Sequence, residues 1–243
     1  MKKTLLKISL CLVIAAGCVL GGYSLYKSSL FHLEKINYTY EIENSYIAFL
    51  KPQIEKQLDT QIGASIWEID IFGLEKKLEN LPWIQNVVIS RQFPNELFIS
   101  VQPKKIIANI MKSPSKVQPV AYDSSLLTDV EITKAPLVPI LSSNAFAKSE
   151  DLRKKALDLL RELPMEGSFS FDQVSEVYPF KNDEFQILLK NSKALVLINT
   201  ENVPLKAARI SRVIDYMDPA EMKGRVIDSN FSKKVLVRPR NHR

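Results

Sequence analysis

The chain has 243 residues, 46% hydrophobic and 25% charged, a composition that fits one long or two short globular domains. Its net charge of +6 gathers at the ends: Lys2, Lys3 and Lys7 precede or edge an apolar run, and Arg225 to Arg243 holds six bases against one acid. The stretch between is slightly acidic, which excludes the basic stripe that a nucleic-acid binder needs. Cys11 and Cys18 both lie in the apolar run, only His32 and His242 represent histidine, and Gly63, Gly73, Gly167 and Gly224 stand far apart. A disulfide, a thiolate zinc site and a phosphate-cradling loop are thereby excluded from the folded part.

Ile8 to Tyr26 runs nineteen residues without a charge. A helix needs about 20 such residues to cross roughly 30 Å of hydrocarbon. Lys2, Lys3 and Lys7 on its N-terminal side predict a cytoplasmic tail over 1–7, a transmembrane helix over 8–26 and export of the remainder. Two rivals remain open: a signal peptide cleaved after Ala15-Ala16-Gly17, and a lipoprotein acylated at Cys18. Gly17 and Gly21 also have the spacing of a helix-dimer motif.

After the anchor, Phe31, Leu33, Ile36, Tyr38 and Tyr40 predict a strand over 31–40. Ile47, Leu50, Ile54 and Leu58 follow at helical spacing, with Ser45 as N-cap and Pro52 either kinking the helix or opening its second half. Ile66, Trp67 and Ile69 form a short extended piece. Asp70 is the expected N-cap of a helix carrying Ile71, Leu74, Leu78 and Leu81, stopped by Pro82. Val87, Ile89 and Arg91 share one face of a strand, and Leu97, Ile99 and Val101 one face of the next, with Pro94-Asn95 turning between them. Strand, helix, helix, strand, strand must pack helices on sheet, because neither layer can bury an apolar face alone.

From Lys104 the pattern changes to short extended pieces at 106–111, 119–122, 126–130 and 137–141. Asp151 to Leu163 is helical, with Ser149 as its cap and Leu152, Ala156, Leu159, Leu160 and Leu163 inward. Strands follow at 174–178, 185–190 and 194–198. A helix opened by Pro204 turns Leu205, Ala208, Val213, Ile214 and Met217 inward and ends before Pro219. Strands at 225–227 and 233–238 close the chain. The fold class is therefore α+β: one transmembrane helix, a βααββ domain over 31–102, a mostly antiparallel β domain with flanking helices over 105–238, and a tail over 239–243.

Leu81-Pro82-Trp83-Ile84, then Val87, Ile89, Arg91, Phe93-Pro94, Leu97, Ile99, Val101 and Ala108 resemble the POTRA core of the bacterial cell-division family FtsQ, called DivIB in Gram-positives. Phe31, Leu33 and Ile36, Tyr122-Asp123, Leu137-Val138-Pro139, Lys206, and Val226 to Asp228 extend the resemblance along nearly the whole chain. The departures include Pro103, Ile106 and Ile110 at otherwise characteristic positions, and Asp228-Ser229-Asn230-Phe231 without the family's arginine. The resemblance implies a divisome scaffold in the inner membrane at the septum, linking FtsB-like and FtsL-like single-span partners and helping regulate septal peptidoglycan synthesis. It implies no cofactor and no small-molecule substrate.

The resemblance also points to a partner-binding segment. In the family the end of the β domain lends a sheet edge to the FtsB-like protein. That role would fall on Asp228, Phe231, Lys234, Val235, Leu236 and Val237. Charge alone reads differently, since Lys233 and Lys234 match the lysines that protect an open edge from pairing. Asp228 could equally brace the neighbouring turn. Within the POTRA motif, Pro82 is expected as a helix stop, Pro94 as turn chemistry, Trp83 as a core anchor and Arg91 as a solvated cation, with partner contact the alternative for the last two.

Catalysis has no candidate: neither histidine lies near a nucleophile, and Glu41/Glu43 and Asp183/Glu184 sit in turn-like surroundings. The remaining alternatives are a POTRA-containing periplasmic assembly or export factor and a lipoprotein binding module. Against the former stands the want of the many alternating segments of about 10 residues that build a barrel.

Overall fold

The computed structural model describes residues 2–26, 28–41, 45–181, 183–217, 224–231 and 234–239, without the side chains of 2–12, 25, 45 and 49. Residues 1–43 and 47–103 form one compact unit; 44–46 and 104–243 form the other.

The N-terminal segment is one helix, α1 (Lys2–Tyr26). Among the described residues no helix is long and apolar enough to cross a membrane, and in α1 the described side chains begin at Val13. A short 3-10 turn (Ser29–Phe31) follows, capped by the Ser28 hydroxyl, which accepts from the Leu30 N–H at 3.3 Å. This turn shortens the strand expected from Phe31. Hydrogen bonds from Leu33 N–H to Ala64 and from Ile66 N–H to Phe31 fasten residues 31–33 to the 61–66 turns, so β1 is only Lys35–Tyr40.

Helix α2 (Ser45–Leu58) runs on through Pro52 and buries Ile47, Leu50, Ile54 and Leu58, as their spacing predicts. Ser45 is the first helical residue rather than the cap; Asn44 lies outside the described residues. Ile66 to Glu68 form a turn instead of an extended piece. Helix α3 (Ile71–Glu79) starts where Asp70 accepts from the Gly73 N–H at 3.0 Å. A Cβ at Gly73 would collide with that carboxylate, which is why the cap tolerates glycine there.

The sheet of this unit joins β2 (Ile84–Gln92), β3 (Glu96–Pro103) and β1 in the order β1-β3-β2. β1 runs parallel and β2 antiparallel to β3, with Ile89 opposite Ile99 and Arg91 opposite Leu97. Leu97, Ile99 and Val101 are completely buried while their neighbours along β3 are partly exposed, the period-2 pattern of a sheet covered on one face. Each such side chain contributes about 1.5–3 kcal/mol on burial.

In the second unit a mixed sheet, nine-stranded among the described residues, runs β12-β11-β10-β9-β8-β7-β4-β5-β6. Its strands are β4 (Ile106–Ser113), β5 (Lys116–Ala121), β6 (Val130–Glu131), β7 (Ile140–Leu141), β8 (Val174–Pro179), β9 (Glu184–Leu189), β10 (Leu195–Asn199), β11 (Arg225–Asp228) and β12 (Leu236–Pro239). The pieces expected at 126–130 and 137–141 shrink to two residues each. Leu126 makes one isolated bridge, and Pro136 and Pro139 carry no N–H for a ladder. Most pairings are antiparallel, but β4–β7, β7–β8 and β10–β11 are parallel.

Between β7 and β8 lie a short helix, α4 (Ala145–Lys148), and helix α5 (Glu150–Glu162). Ser149 caps α5 by accepting from the Leu152 N–H at 3.2 Å, and Ala156, Leu159, Leu160 and Leu163 are buried. Arg153 is 7% exposed on the same helix and donates to the carbonyls of Ser124 and Phe146 at 3.1 and 2.9 Å. Helix α6 (Val203–Tyr216) corrects the sequence expectation. Its buried stripe is Val203, Ala207 and Ile210, continued by Ile214 and Met217, whereas Leu205 and Ala208 face water. Ile214 and Met217 pack on the core as expected, and the stripe that continues from them toward the N-terminus at spacings of three and four runs through Ile210, Ala207 and Val203, which leaves Leu205 and Ala208 outside it. Pro219 lies outside the described residues.

Candidate functional site

β10 is buried on both faces, β11 pairs with it in parallel, and β12 closes that end of the sheet. The register places Val196, Ile227 and Val237 in one row across three strands, and Leu197, Asp228 and Leu236 in the next. Successive residues face opposite sides. Val235 and Val237 therefore pack against the main core, while Leu236 is 43% exposed. Among the described residues, β12 pairs with β11 alone, so its outer backbone groups meet no neighbouring strand. The opposite end, β6, has only two residues and offers far less.

The sequence-predicted partner residues thus gather at one sheet border, in different positions. Leu236 and Val237 lie in β12; Lys234 and Val235 precede it, so the strand starts later than expected. Phe231 is 42% exposed, with the Lys234 ammonium 5.8 Å from its ring centre. Asp228 ends β11 and accepts from the Asn230 N–H at 3.1 Å, bracing the turn that follows it. Ser229, which carried no expectation, is 1% exposed and sends both its N–H and its hydroxyl to the Leu197 carbonyl, at 3.0 and 2.8 Å. The Asp-Ser-Asn run was the signal for such a turn. Lys233 and residues 240–243 lie outside the described residues.

Two other sites owe their chemistry to local structure. Burial pushes the Asp123 carboxyl up, but hydrogen bonds from Ser125 and Lys104 outweigh it and hold it at about 2. Lys206 has its pKa lowered by burial, and its ammonium donates to Asn199 at the end of β10. Both arrangements hold loops and strand ends in place. Among the described residues no three metal-ligating side chains come together.

In the first unit Trp83 is 1% exposed, between α3 and β2. Pro82 stands in the turn between those elements, and Pro94 follows a cis peptide bond in the β2–β3 turn. Arg91 is not a solvated cation. Its guanidinium donates to the carbonyls of Ile66 and Ile69 at 2.7 and 2.8 Å, pinning the turn that leads into α3. Arg91→Met is expected to cost about 1–3 kcal/mol, because two carbonyls lose charge-assisted donors. Urea unfolding checks this; an unchanged midpoint would release Arg91 for partner contact. The other border of this small sheet, β2, is partly blocked, since the Glu75 carboxylate accepts from the Ile89 N–H at 2.7 Å.

A βααββ unit whose helices cover a three-stranded sheet, followed by a larger unit whose last described strand lies at the border of its sheet, defines a POTRA protein with an appended β domain. Residues 48–104 match the family model described as a POTRA domain of the FtsQ type. The chain is 22% identical over 240 residues to a Geobacter protein named cell division protein FtsQ, covering 93% of this chain and 84% of that one. It is 24% identical over 242 residues to the protein of that name in Syntrophotalea carbinolica, covering 97% and 83%. It is also 32% identical over 126 residues to the cell division protein DivIB of Bacillus subtilis, covering 51% and 44%. The chain is thus similar to proteins named FtsQ along nearly its whole length and to DivIB over half of it, and it carries a POTRA domain of the FtsQ type over residues 48–104.

Proposed function

We propose that this chain is a non-enzymatic scaffold of bacterial cell division, tethered in the inner membrane, that docks FtsB-like and FtsL-like single-span partners on its exported β domain. The observation that carries the docking half is the open border of β12, where a partner segment can add a strand. Main-chain hydrogen bonds then supply affinity, and the exposed Phe231 and Leu236 supply side-chain contacts. The tether rests on Ile8 to Tyr26, free of charge, inside a 25-residue helix. At 1.5 Å per residue the nineteen uncharged residues span about 28 Å, close to the roughly 30 Å hydrocarbon core. Lys2, Lys3 and Lys7 orient it with the short tail in the cytoplasm.

The testing experiment is depletion in the native bacterium. Cells are expected to keep elongating without forming septa, and light microscopy reads the filaments. Normal division with defective outer-membrane assembly would support the export-factor reading instead.

A further inference from the structure

One feature of the first unit lies outside the docking border. The ring of Phe31 stands 5.5 Å from Trp67, and Trp67 stands 4.7 Å from Phe93. Trp67 and Phe93 line an open groove with Ile71 and Phe72. Trp67, Phe72 and Phe93 are 43%, 65% and 55% exposed, a costly arrangement unless something covers them. The charged groups of the groove are already engaged: Asp70 with the Gly73 N–H, Glu75 with the Ile89 N–H, and Arg91 with the Ile66 and Ile69 carbonyls. What remains on offer is aromatic surface, with the Lys76 ammonium 4.4 Å from the centre of the Phe72 ring.

The chain path says what covers it. Phe31 is the fifth residue after Tyr26, the end of α1, and the last three of those five, Ser29–Phe31, are wound in the 3-10 turn. Fully extended, five residues reach at most about 18 Å, and a 3-10 turn advances only about 2 Å per residue. Each headgroup layer is about 5–8 Å thick. Given the anchor proposed above, Phe31 cannot stand far from the headgroups, and Trp67 and Phe93 are stacked on Phe31. Trp67, whose indole N–H gives an apolar ring a polar handle, is the kind of residue that settles at that depth.

We propose that the Phe31, Trp67, Phe72 and Phe93 surface rests on the outer leaflet of the membrane that holds α1, so that the POTRA unit lies against the bilayer. This inference depends on the tether reading, and the experiment separates the two. The full-length chain and its Trp67→Phe variant are reconstituted in phosphatidylcholine vesicles with or without bromine near the headgroup end of the acyl chains. Trp67 and Trp83 are the two tryptophans, and Trp83 is 1% exposed, so the difference between the two proteins reports Trp67.

Brominated lipid is expected to reduce the Trp67 emission by about twofold, as for a ring held at the interface, and to leave the variant's Trp83 emission unchanged. Flotation of the vesicles on a density gradient reports the tether. Protein that floats with its vesicles while Trp67 stays unquenched and open to aqueous iodide would overturn the membrane contact and leave the tether standing. Protein that fails to float would overturn both. Floating protein whose Trp67 is shielded from iodide but not quenched by bromine would assign the surface to a second copy of this chain and overturn the lipid contact.

Discussion

Replacing Trp83 by alanine is expected to destabilise the POTRA unit by about 3–5 kcal/mol, the usual loss for a buried large aromatic. Trp83 is 1% exposed, beside Leu78 at the end of α3 and Ile84 at the start of β2, both buried. Its removal empties the junction where the helix layer passes into the sheet, and the surrounding backbone, committed to the β2–β3 ladder, can collapse only partly. In a unit of this size each kcal/mol lowers the melting temperature by roughly 4–8 °C, so differential scanning calorimetry has ample range. Trp83→Phe keeps most of the volume and should recover more than half of the loss. An unchanged transition in the alanine variant would show that the ring is not the anchor described.

The second large effect concerns recognition. In an antiparallel ladder the N–H and C=O of one residue point to the partner strand, and those of the next point away. Leu236 and Val237 are consecutive in β12, so one donates toward β11 and the other toward the open border. Proline at each position in turn removes one of these donors. The variant that loses the outward donor is expected to unfold as the parent does and to bind the FtsB-like partner at least about tenfold more weakly, equivalent to about 1.4 kcal/mol. The variant that loses the inward donor should instead lose about 1 kcal/mol of stability. Calorimetry and a pull-down separate the two. If both proline variants captured the partner as well as the parent, strand addition at β12 would be wrong.

The POTRA unit was legible because its signals are local and mutually consistent. Period-2 alternation from Leu97 to Val101 and the Asp70 cap each act within a few residues, and each is present in the structure. The failures share a cause as well. Phe31 to Leu33 alternate like a strand, but the 61–66 turns claim their backbone. Leu205 and Ala208 have helical spacing, yet the stripe of α6 that packs on the core runs through Val203, Ala207 and Ile210 and leaves them outward. Periodicity names an element and leaves its phase open when two apolar stripes compete.

The candidate site shows the same division. The stretch that ends in β12 could be named from sequence, whereas its value as a border could not. Being an edge is a property of sheet order, decided by which strands lie beside β11 and beyond β12. Arg91 is a related case: its spacing marks it as part of a strand, and only the fold brings the Ile66 and Ile69 carbonyls, some two dozen positions earlier in the chain, within its reach. Sequence by itself determined the uncharged N-terminal run, the confinement of both cysteines to it and the βααββ order, since these depend on residue type and short spacing. Tertiary structure alone decided which faces are buried, which backbone groups stay unpaired and which aromatic rings meet, because those depend on contacts between residues far apart in the chain.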